Sequence, residues 1–448
     1  MEHISERTLG LYAVDPTSLR NHLEIEVHIA ECSQCHQALE AVKSFDTLLR
    51  DPESWTHRDT AVAPPDLRSF AARAAAEDAL AAELLDEFQH PDAAARFVWT
   101  DIARKSEYQT GGVARVLCRW ANRMSERDPL YALKLAEAAI CISAELPDSS
   151  YPRKTIHNLR GDACKEQANA YRALGRLADA LRAIATAEEQ YCKLPHAGIG
   201  LLAVTYIRGI IQYEQGDLDA AEHSLSRAAT DALHFRASDR YMSARYMLGQ
   251  ITYDRGDYAA AAIVFETILR YGEEQRDLLW VARASQAIGG CCLELGKYAD
   301  ANRSLHKALQ LFADLDFGPE VTRTHWTIAR LIFAEGNGSQ AIFRLRRTIT
   351  EFTDYEMLTD AALVAVDLAE ILHATGRPRE IPKVLSNVVQ RFMEAGKLTS
   401  ALAALAYLKE AATAGAMTTE LVAYVRRFVV RVDREPELLF APPPPKPL

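Results

Sequence analysis

Three side chains with metal-binding chemistry lie within eight residues of this 448-residue sequence: His28, Cys32 and Cys35. On a helix, positions four apart share a face, so His28 and Cys32 point the same way from a helix end. Cys32 and Cys35, three apart, can both turn toward one point from a tight turn that opens the next helix. Imidazole and thiolate donors at about 2.0–2.3 Å suit tetrahedral zinc. A fourth ligand must come from elsewhere in the chain. The run also spells Cys32-Ser33-Gln34-Cys35-His36, the spacing of covalent haem attachment. That attachment follows export, and the sequence opens Met1-Glu2-His3-Ile4-Ser5-Glu6 without the basic and apolar stretches of a leader. Zn2+ is therefore the expected cofactor.

The other six cysteines are Cys118, Cys141, Cys164, Cys192, Cys291 and Cys292. They sit in apolar helical patterns without motif spacing, as buried free thiols do. No phosphate-binding glycine loop or nucleophile elbow is present. Glu214 and Asp254 form no carboxylate pair that spacing identifies, and His306, His325 and His373 read as surface or interface residues. The expectation is a protein that is not an enzyme. Net charge is −10 and the pI near 5.8, which argues against direct nucleic-acid binding. The first fifty residues are acidic too, so a metal module there suits a basic protein surface. No apolar run is long enough for a membrane span, and the expected location is cytoplasmic.

Elements must position these ligands. With 49% hydrophobic and 25% charged residues, the balance is globular; abundant alanine and few aromatics favour closely packed helices. The length implies about three domains or a repeat array. Residues 1–50 read as short helices. Ser5 to Tyr12 is the first, with Leu9 and Tyr12 apolar and Ile4 just before it. Thr17 or Ser18 caps a second helix to about Glu31, with Leu23, Val27 and Ala30 inward. A third follows the Cys-x-x-Cys turn, with Ala38, Leu39, Val42, Phe45 and Leu49. So few residues make a weak core, and a structural metal is physically reasonable.

This arrangement resembles the zinc-binding anti-sigma factor domain of the putative zinc-finger family. The resemblance covers about a ninth of the chain. It lies in an N-terminal ligand, two helices, His28-x3-Cys32-x2-Cys35 and a further amphipathic helix. It implies His3 as the fourth ligand, with His22 and His36 as competitors, giving His3, His28, Cys32 and Cys35. It also implies a sigma factor as partner, occluded by the zinc helices, and release of zinc on thiol oxidation in some members. The alternative is that the module is only a zinc-stapled helical knob. Residues 51–109 read as linker and capping helices. From Asp66 to about Gln89 an alanine-rich helix carries Leu67, Phe70, Ala74, Ala81, Leu84, Leu85 and Phe88. Glu77 and Asp78 interrupt its stripe. The family implies a clasp on the sigma factor for this helix; capping of the next domain is the competing role.

From about residue 110 the chain repeats. Gly216, Gly256, Gly296, Gly336 and Gly376 are each forty residues apart, with Gly175 before and Gly415 after. Each supplies the left-handed C-cap that reverses the chain. Seven residues earlier stand Ala168, Gly209, Gly249, Gly289, Ala329 and Ala369; five later stand Ala180, Ala221, Ala261, Ala301 and Ala341. This is similar to the tetratricopeptide repeat, whose usual period is about thirty-four. The six extra residues fall between one hairpin and the next, as longer helix ends or as loop. A degenerate first unit, Val113–Glu145, replaces the glycine with Arg127-Asp128-Pro129. The resulting fold class is all-α: a zinc-stapled module, 1–50, then a right-handed superhelix of about eight hairpins, 110–435. The proline-rich tail, 436–448, is expected to be disordered.

First helices of such repeats line the concave face. Repeat phase nominates Lys165, Asn169, Arg172, Tyr206, Tyr213, Tyr246, Gln250, Tyr253, Arg283, Arg323, Trp326 and Arg330 for a groove that binds a peptide, a helix or a domain. Tyr, Trp and Arg concentrate binding energy at interfaces, although aromatics at these places also pack between hairpins. The expectation is a transcription-regulatory protein that couples the zinc module to a protein-interaction or sensor solenoid. The alternative is a scaffold whose zinc module is purely structural.

Overall fold

Every glycine of the forty-residue series marks a chain reversal. Gly175, Gly216, Gly256, Gly296, Gly336, Gly376 and Gly415 all have φ between 70° and 90°, a region side chains enter only at a cost. The computed structural model of the chain describes residues 3–4, 8–9, 12, 22–40, 67–86, 105–125, 127–147, 149–355, 357–394, 399–434 and 438–443. Regular structure among these residues is entirely helical. The chain divides into two compact units, 1–73 and 74–448. The expected linker over 51–66 lies outside the described residues.

The first unit contains helix α1 (His22–Glu31) and a helical run at 33–40. Leu9, Ile25, Ile29, Cys35 and Leu39 form its core, with Ile4, Tyr12, Cys32 and Ala38 against it. The inward face of α1 differs from the sequence expectation. Ile25 and Ile29, four apart, are buried, whereas Val27 is 58% exposed and Ala30 is also exposed. The Ile25–Ile29 stripe continues to Cys32, so the face with the thiol is the one that packs.

Helix α2 (Leu67–Leu84) spans the division between the units. Eight hairpins follow among the described residues. They pair α3 (Gly111–Met124) with α4 (Pro129–Glu145), α5 (Arg153–Ala173) with α6 (Leu177–Cys192), and α7 (Gly198–Glu214) with α8 (Leu218–His234). Next come α9 (Ser238–Asp254) with α10 (Tyr258–Gln275), α11 (Leu278–Glu294) with α12 (Tyr298–Asp314), and α13 (Gly318–Ala334) with α14 (Gly338–Asp354). The last pairs are α15 (Leu358–Ala374) with α16 (Ile381–Glu394) and α17 (Thr399–Thr413) with α18 (Thr419–Arg434). Consecutive helices pack together along the series, and α15 meets both α16 and α18.

The longer repeat is made by longer helices. From α7 to α13 most helices have 17 residues, and turns of three residues, two between α10 and α11, join them in both directions. The turn between hairpins also uses a left-handed residue, but not glycine. Arg236, Arg276 and Asp316 have φ of 54°, 56° and 58°, and they too recur every forty residues. Close approach within a hairpin has a similar regularity. A Cβ at Gly209, Gly249 or Gly289 would lie 2.7, 2.7 or 2.6 Å from Leu225, Phe265 or Leu305 on the following helix. The fully buried side chain enters the notch left by the small residue.

In the first hairpin Asp128 accepts a hydrogen bond from the Tyr131 N–H, and Pro129 opens α4, so Asp-Pro replaces the glycine turn. The expected disorder of the tail does not hold for residues 438–443. Phe440 packs against Tyr407, Tyr424 and Phe428 at centroid distances of 5.5, 6.2 and 4.9 Å. The Tyr424 hydroxyl also donates to the Ala441 carbonyl at 2.7 Å. One aromatic ring supplies the apolar burial that the prolines lack. Residues 444–448 lie outside the described part.

Candidate functional site

Folding of the first unit draws four ligand atoms together. One atom each from His3, His28, Cys32 and Cys35 lies within 4.8 Å of the other three. Cys32 Sγ is 3.4 Å and Cys35 Sγ 3.7 Å from His3 Nδ1. In a tetrahedral centre with zinc bond lengths, donors are roughly 3.3–3.8 Å apart. His28 Nε2 is buried without a hydrogen-bond partner, which is costly unless something else satisfies it. The Ile4 N–H points to Cys35 Sγ at 3.4 Å, as donors outside a metal site do to ligand sulfur. The Cys35 backbone N–H, in first place, holds the Cys32 thiol below its ordinary value against burial, which favours thiolate. This N2S2 set fits a metal ion that prefers tetrahedral nitrogen and sulfur donors. His36 is exposed and outside the group, so the apparent haem motif contributes no histidine here.

The other cysteines differ in environment. Burial pushes Cys164 up to about 11 and Cys291 up to about 12, which keeps them as neutral thiols. Cys192 is exposed and Cys141 only partly buried, contrary to the expectation that all six are buried.

In the second unit, α2 meets the repeats through a polar latch. Arg115 Nε donates to Asp78 at 2.7 Å and its Nη2 to Glu77 at 2.8 Å, while Arg119 reaches Asp78 at 2.6 Å. The Tyr151 hydroxyl donates to Glu77 at 2.5 Å and accepts the Gly111 N–H at 2.9 Å. A Cβ on Gly112 would stand 2.4 Å from the Glu77 carbonyl oxygen. Ala81 and Leu85 are buried with Val113, Leu117 and Leu135. The two acids that interrupt the apolar stripe are thus the groups that dock this end of the helix.

The first helices of successive hairpins are tied by polar contacts about one repeat apart. Arg172 binds Glu214 at 2.6 Å, the Tyr213 hydroxyl donates to Asp254 at 2.7 Å, and that of Tyr253 to Glu294 at 3.4 Å. Trp326 Nε1 donates to Asp367 at 2.8 Å, and Arg330 reaches Glu294 at 2.8 Å. Lys165 lies 3.1 Å from Glu166, to which Asn169 also donates. Arg323 pairs with Glu320 and Asp360. Tyr246 packs against Phe265 and Trp280, the interhelical role open to aromatics in this phase, and bonds to Gln250. Arg283 lies 5.6 Å from the Trp280 ring and Arg240 5.9 Å from that of Tyr206.

Two hollows adjoin these residues. One of about 530 Å³ is lined by Glu294, Trp326, Arg330, Asp367, Glu370 and Arg426 among others. Arg426 of α18 binds Asp367 at 2.7 Å and also Glu370. Burial opposes the charge on Arg330, but Asp367 and Glu294 outweigh it and raise its pKa. The second, about 470 Å³, includes Asn122, Arg123, Lys165, Glu166 and Arg240 in its lining. Arg240, Asp367 and Arg426 were not among the sequence candidates. The carboxylates two residues before the glycines, Glu214, Asp254 and Glu294, were readable as a periodic set. Arg426 was not, because the final hairpin leaves the forty-residue register.

No protein-family model and no curated protein sequence matches the chain. The resemblance of residues 1–50 to anti-sigma domains therefore rests on its residues alone. Among solved structures, the chain is similar to aspartyl phosphate phosphatase F from Bacillus subtilis, with TM-score 0.52 and 15% identity over 87% of this chain and 95% of that one. It is also similar to the Rap conjugation gene regulator of the plasmid pLS20 in complex with the Phr* peptide. There the TM-score is 0.50, with 12% identity over 87% of this chain and 95% of that one. These likenesses show the fold, a tetratricopeptide-like helical solenoid. No helix among the described residues is long and apolar enough to cross a membrane.

Proposed function

We propose that this chain is a regulatory protein in which a zinc-stapled N-terminal module engages a sigma factor and a tetratricopeptide-type groove binds a peptide. The observation that carries the metal reading is the gathering of His3, His28, Cys32 and Cys35, with His28 Nε2 left without a protein partner. Zinc supplies a Lewis-acidic tetrahedral anchor for four donors. In this chain its work is to join the N-terminal segment, α1 and the following helix. The acidic composition of residues 1–50 suits a basic partner, and the mechanism is competitive: the module covers the sigma surface that polymerase needs. The groove reading is supported by its Tyr, Trp and Arg content. It is supported too by the shared fold with the plasmid pLS20 regulator, which was solved with a peptide.

A second reading is favoured by the polar latch. The helix expected to clasp a sigma factor commits Glu77, Asp78, Ala81 and Leu85 to the repeats. On this reading the module is a structural knob and the solenoid a scaffold. The test is capture of sigma factors from the same organism by the full-length chain, with Cys32→Ser beside it. Regulation predicts capture that polymerase competes away and that Cys32→Ser abolishes. Capture of other proteins, unchanged by that substitution, assigns the scaffold role; failure to bind any sigma factor contradicts the regulatory one.

A further inference from the structure

We propose that the middle of the groove grips a carboxylate between Arg240 and Arg283 beside Tyr206, so that the peptide recognised there carries an acidic residue. This deepens, and rests on, the reading of the groove as a peptide site. Most basic side chains along these helices are already committed: Arg172 to Glu214, Arg330 to Glu294, Lys165 to Asp162 and Glu166, Arg426 to Asp367 and Glu370. Repeat symmetry then makes Arg283 conspicuous. Arg323 is its equivalent forty residues on, and it has Glu320 three residues before it and Asp360 thirty-seven after. Arg283 has Trp280 at the first of these places and Glu320 at the second, and Glu320 is bonded to Arg323 at 3.4 Å. Arg283 therefore stays half-buried, against an indole ring and without an ion pair among the described residues. Arg240 rests on Tyr206 and bonds to no carboxylate among the described residues; the hollow it lines also holds Asp162 and Glu166, but both are paired with Lys165.

A guanidinium partly withdrawn from water and lacking a counter-charge gains from an ionised acceptor, which it can hold with two N–H groups. Stacking on an aromatic face fixes its plane beforehand. Tyr206 adds a donor: burial pushes its pKa up, more than the charges of Arg240, Arg283 and Arg172 and the Ser243 hydroxyl lower it, so the phenol keeps its proton. A basic ligand would face Arg240 and Arg283, neither of them ion-paired among the described residues, although the chain as a whole is acidic.

The test uses the full-length protein and three pools of labelled short peptides, identical except for one position held as Asp/Glu, Asn/Gln or Lys/Arg, read by fluorescence anisotropy. The acidic pool should bind at least about tenfold more tightly than the amide pool. Arg283→Gln should remove that preference and leave the amide pool unchanged; Arg240→Gln should reduce it in part. Thermal melts establish that each variant folds. Equal binding of acidic and amide pools, tighter binding of the basic pool, or an undiminished preference in folded Arg283→Gln overturns the inference while the groove reading stands. Binding of no pool defeats the groove reading as well. Glutarate and inorganic phosphate form a separate arm, and saturation by either without peptide binding overturns the peptide assignment.

Discussion

Among single residues, the candidate metal ligands divide into a part that spacing reveals and a part that folding supplies. His28, Cys32 and Cys35 are legible because four- and three-residue steps bring side chains to one side of a helix end. His3 joins them only through the fold, since the intervening segment has to bring it back to the thiols. Two substitutions test which histidines belong to the group. His28→Gln should reduce bound zinc sharply and lower the thermal stability of the first unit, whereas exposed His36→Gln should leave the metal content unchanged, both measured by metal analysis of purified protein. His325 makes a different prediction. Burial holds its pKa below the ordinary histidine range, more than Glu351 raises it. The unfolded chain then takes up the proton first as pH falls. Stability should be unaffected well above about 6.5 and decline as pH drops through that value toward the folded pKa. His325→Gln should flatten that decline in melting temperature. Arg240 and Arg283 were hard to weigh in the sequence, because whether an arginine has a carboxylate is decided by neighbours a repeat away.

At the scale of the helix and turn, the glycine period identified the reversals within hairpins, but the reversals between hairpins carried no such signal. Arg236, Arg276 and Asp316 adopt the same left-handed conformation without being glycine. Arg276→Gly should therefore raise stability by about 0.5–1 kcal/mol in chemical denaturation, as relief of the side-chain penalty exceeds the entropy that glycine adds. Gly256→Ala, with φ at 83° and open space around its Cβ, should cost about 1–2 kcal/mol for the backbone alone. At Gly249 the backbone is helical and the obstacle is Phe265. Alanine there meets a fully buried ring at 2.7 Å and should destabilise by about 1–3 kcal/mol. Small residues seven before each turn were readable; the large residues that fill the notch were not singled out, since a buried Leu or Phe on a helix has no distinctive spacing.

In the whole molecule, the solenoid is a chain of neighbour contacts, so its ends should open before its middle. Asp367 bears on this: it joins Trp326 of α13, Arg426 of α18 and, at 3.9 Å, Arg330. Asp367→Asn leaves two arginines facing a neutral group in a largely buried place. It should weaken the last hairpins by about 2–4 kcal/mol, seen as faster amide exchange in α17 and α18 than in α7 to α10. Hairpin number and the forty-residue period were legible because each repeat restates the same pattern. Capping of the first hairpin was one of two roles the sequence left to this helix; that Glu77 and Asp78 make the contact, and that Phe440 packs on the last hairpin, was not legible. Each depends on a single non-repeating segment meeting one particular surface.

The central claim is that His3, His28, Cys32 and Cys35 hold one metal ion, and metal analysis of the intact, unchelated chain tests it most directly. The account predicts a single zinc ion per chain, absent from Cys35→Ser and present in His36→Gln. A metal-free wild-type protein, or zinc retained undiminished by Cys35→Ser, would contradict it.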